Sequence, residues 1–305
     1  MASTPRHMRR VPLIRPGRYA DGEMLHELQY LQCKLILKPD RFTSRGSFFE
    51  FAHIVKKVAK QCHVGFDAKG FADARPRLRE VVFLDTPDRR LYAHAFILRR
   101  RVAYEDGFPI GEPEIVFKFR HADLQKAAEV DVRPRIAGPY KLKFKAEALA
   151  LKDSAGSLRM LYSHNVQFPL SSVHEGNRTS MATLVRVLPA LRKLKRSNGE
   201  RVELVNQAIV EEVLQDVAML DFGKGIQARA NVSLWRTRGE HLPLVGEFAF
   251  QVRFRSRAAL HDRMKARAEQ FFVSLQHAAK DWLLLGATKT RVVYQLQGDG
   301  PQAYE

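Results

Sequence analysis

The chain has 305 residues, 45% of them hydrophobic, which is enough to bury a substantial core. A formal charge of +18 and an isoelectric point near 10.1 point to anionic partners: polyphosphate, nucleotide, nucleic acid or an acidic membrane surface. Two cysteines, Cys33 and Cys62, with no CxxC, exclude a disulfide framework and suit a reducing, cytoplasmic setting, and no stretch approaches the roughly 20 apolar residues of a membrane span.

Residues 1–20 contain Arg, Pro and Ser and lack the apolar run of a signal peptide, so they read as a disordered basic leader. Leu28–Lys38 alternates as a strand. Tyr30, Gln32, Lys34, Ile36 and Lys38 share one face, and Leu31, Cys33, Leu35 and Leu37 form an apolar face that should pack outward against helices. Phe48, Phe51, Ala52, Val55, Val58 and Ala59 recur at helical spacing, predicting a helix over 44–61 capped by Ser44 or Thr43. Its lysines, Lys56, Lys57 and Lys60, read as solvated. Cys62-His63 has no second pair at metal-ligand spacing, and Val64–Pro76, with two glycines and a proline, reads as a loop.

From Arg79 to Arg120 three short strands follow one another, around Val81–Asp85, Phe96–Arg101 and Glu114–Arg120, each rich in β-branched and aromatic residues. Pro87 fixes its own φ, and Asp85 and Asp88 can bond nearby backbone, so Thr86–Arg89 reads as a turn. Cationic side chains sit inside these apolar strands. Residues two apart share a face, so Arg99 with Arg101, and Lys118 with Arg120, make a dense positive surface that calls for an anion of several charges.

Further on, Glu129-Val130-Asp131-Val132 alternates, placing both carboxylates on one face; an ordinary surface edge is the alternative. Lys141–Lys145 is another short strand, and 152–180 reads as a polar, turn-rich insertion. Met181, Leu184, Val185, Leu188 and Leu191 mark a helix that Pro189 ends or kinks. The Arg192–Arg196 run reads as a solvated helix end, with a nucleic-acid patch as the sharper alternative. Three strands follow near Ile209–Phe222, Ile226–Trp235 and Leu244–Phe254. Phe222-Gly223-Lys224-Gly225 lacks the frame of a P-loop and reads as a tight turn. In the last strand Glu247 lies between apolar neighbours and is the best candidate for an interior carboxylate. Leu260, Met264, Phe271, Leu275 and Trp282 then line one stripe of a closing helix.

Val82-Phe83-Leu84-Asp85-Thr86-Pro87-Asp88, then Leu98-Arg99-Arg100-Arg101 and Phe117-Lys118-Phe119-Arg120, resemble the CYTH family of triphosphate tunnel metalloenzymes, with motif order matching over about residues 28–131 and more loosely to 254. The family includes adenylate cyclases of this fold, thiamine triphosphatases, inorganic triphosphatases and relatives in polyphosphate synthesis. The resemblance implies an α+β fold: a closed antiparallel β-tunnel, here with about eight strands and three flanking helices, in one domain over 21–297 with a tail at 298–305. It implies phosphate binding by Lys34, Arg99, Arg101, Lys118 and Arg120, and Mg²⁺ or Mn²⁺ held by Glu129, Asp131 and Glu247. The family's first strand carries Glu-x-Glu-x-Lys, whereas this chain has Tyr30-x-Gln32-x-Lys34, with the lysine kept and both carboxylates replaced.

Two function classes follow. One is a metal-dependent phosphohydrolase or phosphotransferase acting on a triphosphate or polyphosphate chain. The other is a non-catalytic module that binds polyphosphate or a nucleotide. The missing glutamates favour intact anion binding with weak or absent turnover, because a divalent metal needs hard anionic oxygens. A nucleic-acid binder is a third reading, but the basic strands lack aromatic interleaving and any zinc-finger or helix-turn-helix spacing.

Overall fold

Strand alternation carries through into a closed barrel. The computed structural model describes residues 13–71, 73–173, 179–254 and 261–298. Its elements in chain order are β1 (Tyr30–Leu37), α1 (Gly46–Gln61), β2 (Gly65–Asp67), β3 (Arg77–Asp85), α2 (Arg90–Ala93), β4 (Phe96–Glu105), β5 (Phe108–His121), α3 (Leu124–Glu129), β6 (Lys141–Ala150), β7 (Leu158–Pro169), α4 (Met181–Val187), β8 (Glu203–Asp221), β9 (Gln227–Thr237), β10 (Pro243–Arg253), α5 (Asp262–Ala278) and α6 (Lys289–Tyr294).

Around the barrel the strands run β8-β3-β4-β5-β7-β6-β1-β10-β9, and β9 pairs back to β8 to close the ring, while β2 adds to β8 from outside. Nine strands therefore form the wall where about eight were expected. Neighbours are antiparallel except β1 and β6, which run parallel with Tyr30 opposite Lys145 and Lys34 opposite Leu149, so the barrel is mixed. The extra strand is β7, inside the region read as an insertion. Its middle, Ser163-His164-Asn165, looks like loop composition, yet Asn165 faces the lumen, where polar groups find partners, and its amide donates to the Lys143 carbonyl oxygen at 3.1 Å.

Outside the barrel the apolar faces are covered by helices. Leu31, Cys33, Leu35 and Leu37 pack in one cluster with Phe48, Phe51, Val55 and Val58 of α1 and Phe271, Phe272 and Leu275 of α5. The N-cap of α1 is Arg45 without a side-chain cap bond. Ser44 Oγ instead accepts from the Gly46 amide at 3.1 Å. The closing helix starts at Asp262, and Leu260 lies outside the described residues; Trp282 falls in a following 3-10 turn, where its ring meets Phe42 and Phe51 edge-on. A second cluster places α4 and the turn after it, through Met181, Leu184 and Leu191, against Leu98, Phe117 and Phe168.

Residues 1–12 of the expected leader and 299–305 of the expected tail lie outside the described residues. Within residues 13–20, the Arg15 amide donates to Gln125 at 2.8 Å, and Tyr19 is buried with its hydroxyl donating to the Ala128 carbonyl oxygen at 3.0 Å. Phe222–Gly225 is a tight turn, with positive φ at Gly223, Lys224 and Gly225. No helix among the described residues is long and apolar enough to cross a membrane.

Candidate functional site: a cationic lumen

Alternation along each strand sends every second side chain inward. Lys34 enters from β1, Arg79 from β3, Arg99 and Arg101 from β4, Lys118 and Arg120 from β5, and Lys143 and Lys145 from β6. With Lys289 of α6 they surround a cavity of about 260 Å³ as nine cationic side chains against three carboxylates, Glu147, Glu212 and Glu247. The inward positions toward one end are apolar instead: Ile36, Val81, Phe83, Ile97, Trp235 and Val245 pack against Val293 and Tyr294 of α6 and form a floor to the lumen.

Two acidic centres organise the charge. Glu147 is buried and takes Lys118 Nζ at 2.8 Å and Lys34 Nζ at 3.1 Å, with Arg120 Nη1 at 3.8 Å, while the Ser163 hydroxyl donates to it at 2.7 Å. Burial alone would raise its pKa, but Lys118, Lys34 and Arg120 hold it well below the usual carboxylate range. Glu212 takes Arg79 at 2.5 Å and Lys289 at 3.1 Å, and the Trp235 indole donates to it at 2.9 Å. Burial opposes ionisation there too, and Lys289 and Arg79 reverse it. Glu247 lies 2.8 Å from the same Lys289 ammonium.

Arg101 pairs with Glu114 at 2.9 Å, whereas Arg99 and Lys145 lack such neutralisation among the described residues. Arg99 lies over the Phe83 ring at 5.4 Å, has no carboxylate ion-pair partner among the described residues, and keeps a buried Nε without an acceptor. Burial, then Arg101 and Arg120, lower its pKa to about 10, so it stays charged at neutral pH in a place that resists charge. Burial and the Lys34 charge pull Lys145 down to about 7. Its ammonium donates to Gln251 at 2.7 Å and Gln32 at 3.3 Å, two neutral amide oxygens.

The structure thus brings Lys34, Arg99, Arg101, Lys118, Arg120 and Glu247 to one cavity. It does not bring Glu129 and Asp131 there. Residues 124–129 form α3 rather than a strand, so the alternation expected across 129–132 does not arise. Glu129 is exposed and accepts from Gln125 at 2.9 Å, and Asp131 is clasped by Arg133, both beside a separate surface cavity of about 970 Å³. Nor do the lumen residues fit Mg²⁺ or Mn²⁺. Each lumen carboxylate already lies within ion-pair distance of an ammonium, Gln32 and Tyr30 replace carboxylates on β1, and no three acidic, His or Cys side chains converge on a metal position among the described residues.

Residues that the sequence reading missed include Glu147, Glu212, Lys145 and Lys289. Alternation from Lys141 onward, carried past Lys145, places Glu147 on the lysine face. Lys289 carries no comparable signal, because a six-residue helix inserts it from outside the strand pattern.

No family model and no curated protein match the chain. Among solved structures, it is similar to a candidate adenylyl cyclase from Hippeastrum described as having a dominant triphosphatase activity, at 13% identity over 87% of this chain and 95% of that one, TM-score 0.41. A candidate adenylate cyclase from Bacillus halodurans is similar at 11% identity over 88% and 98%, TM-score 0.40. A protein from Pyrococcus horikoshii is similar at 10% identity over 81% and 89%, TM-score 0.31. The strands that carry the CYTH resemblance, β3, β4 and β5, stand side by side in the wall of a closed, basic β-tunnel, the architecture that the resemblance implies.

Proposed function

We propose that residues 21–297 act as one tunnel domain that binds a triphosphate or polyphosphate chain, free or carried by a nucleotide, in the cationic lumen. The observation that carries this reading is Arg99, a buried guanidinium among Arg101, Arg120 and Lys145 with no carboxylate of its own among the described residues. An anion with several charges and many acceptor oxygens meets that excess, and charge-assisted bonds to it are strong. A nucleic-acid duplex does not enter a cavity of about 260 Å³, which sets the lumen apart from a duplex-binding surface. A cytoplasmic setting suits the two buried, unbridged cysteines.

Turnover as a phosphohydrolase or phosphotransferase is expected to be weak or absent, since the carboxylates in the lumen are committed to lysine and arginine. Calorimetric titration with tripolyphosphate tests binding, and phosphate release with EDTA, Mg²⁺ or Mn²⁺ tests turnover. Binding without release supports the module reading. Robust metal-dependent release would replace it with the enzyme reading, and absence of binding would remove both.

A further inference from the structure

Lys289 is the first residue of α6 and brings its ammonium into the lumen. Its Nζ stands 2.8 Å from Glu247 Oε1 and 3.1 Å from Glu212 Oε1, and 4.7 Å above the Trp235 ring. Glu212 and Glu247 come from β8 and β10, which flank β9 on either side, so the two carboxylates converge from separate strands on one point. Both are nearly buried, at 4% and 7% exposure. Two buried carboxylates facing each other without a cation would repel, and one would be driven to protonate. A divalent ion at 2.0–2.6 Å from these oxygens would stand where the nitrogen now stands.

We propose that the Lys289 ammonium is a built-in replacement for a divalent cation, holding Glu212 and Glu247 so that this lumen takes its anion without metal. The ammonium supplies one positive charge and three donors; two point to carboxylates, and the third remains to reach an anion oxygen. Burial disfavours the charged amine, but Glu247 and Glu212 outweigh it and keep Lys289 protonated beyond the ordinary lysine range. The anion-binding half of this inference rests on the function proposed above; the carboxylate-bridging half does not.

The two halves separate experimentally. Mn²⁺ is titrated calorimetrically into the full chain and into Lys289→Met, which removes the ammonium and its charge and keeps the unbranched stem, one atom shorter. The parent should show no stoichiometric Mn²⁺ site. Lys289→Met should gain one, at least about tenfold tighter than any parent binding, a difference of about 1.4 kcal/mol. Glu247→Gln added to Lys289→Met should abolish it. The parent should also bind tripolyphosphate equally well in EDTA and in Mn²⁺, whereas Lys289→Met should bind it at least about tenfold more weakly in EDTA than with Mn²⁺ present. A one-to-one Mn²⁺ site in the parent, or a folded Lys289→Met that takes no Mn²⁺, overturns the proposal. If Lys289→Met fails to fold, Mn²⁺ present during refolding should restore the native circular dichroism, and failure to do so also overturns it. If the parent ignores tripolyphosphate altogether, the binding function falls while the Mn²⁺ titrations still decide the bridge.

Discussion

Arg99 combines a cost to the empty protein with a gain for the filled one. Its guanidinium is held charged among like charges, with one nitrogen lacking an acceptor. Arg99→Met should therefore weaken tripolyphosphate binding by about 1.5–3 kcal/mol, the usual worth of a hydrogen bond to a charged group. The same change should leave thermal stability unchanged or raised. A loss of both together, measured by calorimetry and thermal melts, would mean that Arg99 holds the wall and not the ligand. Glu147 behaves in the opposite sense. Three cations depress its pKa, so its stabilising contribution is complete above the unfolded carboxyl value of about 4.5 and is lost as pH falls through the lower folded value. Glu147→Gln removes the carboxylate that pairs with Lys34 and Lys118, and should cost about 3–5 kcal/mol in urea unfolding, with part recovered on adding tripolyphosphate. Lys145, at about 7 when the lumen is empty, faces Lys34, Lys143, Glu147 and Glu247. A bound anion raises that value, so binding takes up a proton and affinity should fall as pH rises through 7. Titrations in buffers of different ionisation enthalpy check this, and Lys145→Arg should flatten the part of the slope that the anion's own titration does not explain.

At the scale of elements, α6 is held by a device in β8. Asn206 adopts a left-handed φ of 53°, and its amide donates to the carbonyl oxygens of Val293 at 2.8 Å and Tyr294 at 3.0 Å, satisfying the helix C-terminus. The Tyr294 hydroxyl then donates to Asp85 at 2.8 Å, and its ring stacks on Tyr92 at 4.0 Å. Asn206→Ala should destabilise by about 1–3 kcal/mol in urea unfolding, through lost bonds and a strained φ, and Asn206→Gly should recover only the conformational part. Strands were the most legible elements. Arg99 with Arg101, and Lys118 with Arg120, could be assigned to one lumen because β4 and β5 lie next to each other and keep their alternation up to the irregularity after Arg101. β7 was hidden because a wet lumen lets Ser163 and Asn165 occupy the middle of a strand, which erases the apolar signal. The parallel pairing of β1 with β6 joins residues more than a hundred positions apart, and nothing local in either strand specifies its direction. Lys289 was illegible for the same reason: its partners Glu212 and Glu247 are set by the closure of the barrel, not by spacing along the chain.

Part of the molecule's excess positive charge lines the barrel interior. A chain of formal charge +18 gathers nine cationic side chains round one cavity inside a barrel whose outer faces are covered by helices and whose lumen has an apolar floor. In low dielectric these charges repel more strongly than they would on an open surface, so a polyanion ligand should stabilise the fold as well as bind it. Among the described residues, the floor built from Phe83, Trp235, Val293 and Tyr294 packs one end of the lumen with buried apolar side chains. A phosphate chain that enters opposite this floor is expected to be taken by its terminus, and saturation should then count chain termini instead of phosphate mass. Long-chain polyphosphate and tripolyphosphate should titrate alike per molecule, and cyclic trimetaphosphate, which has no terminus to offer, should fail to compete.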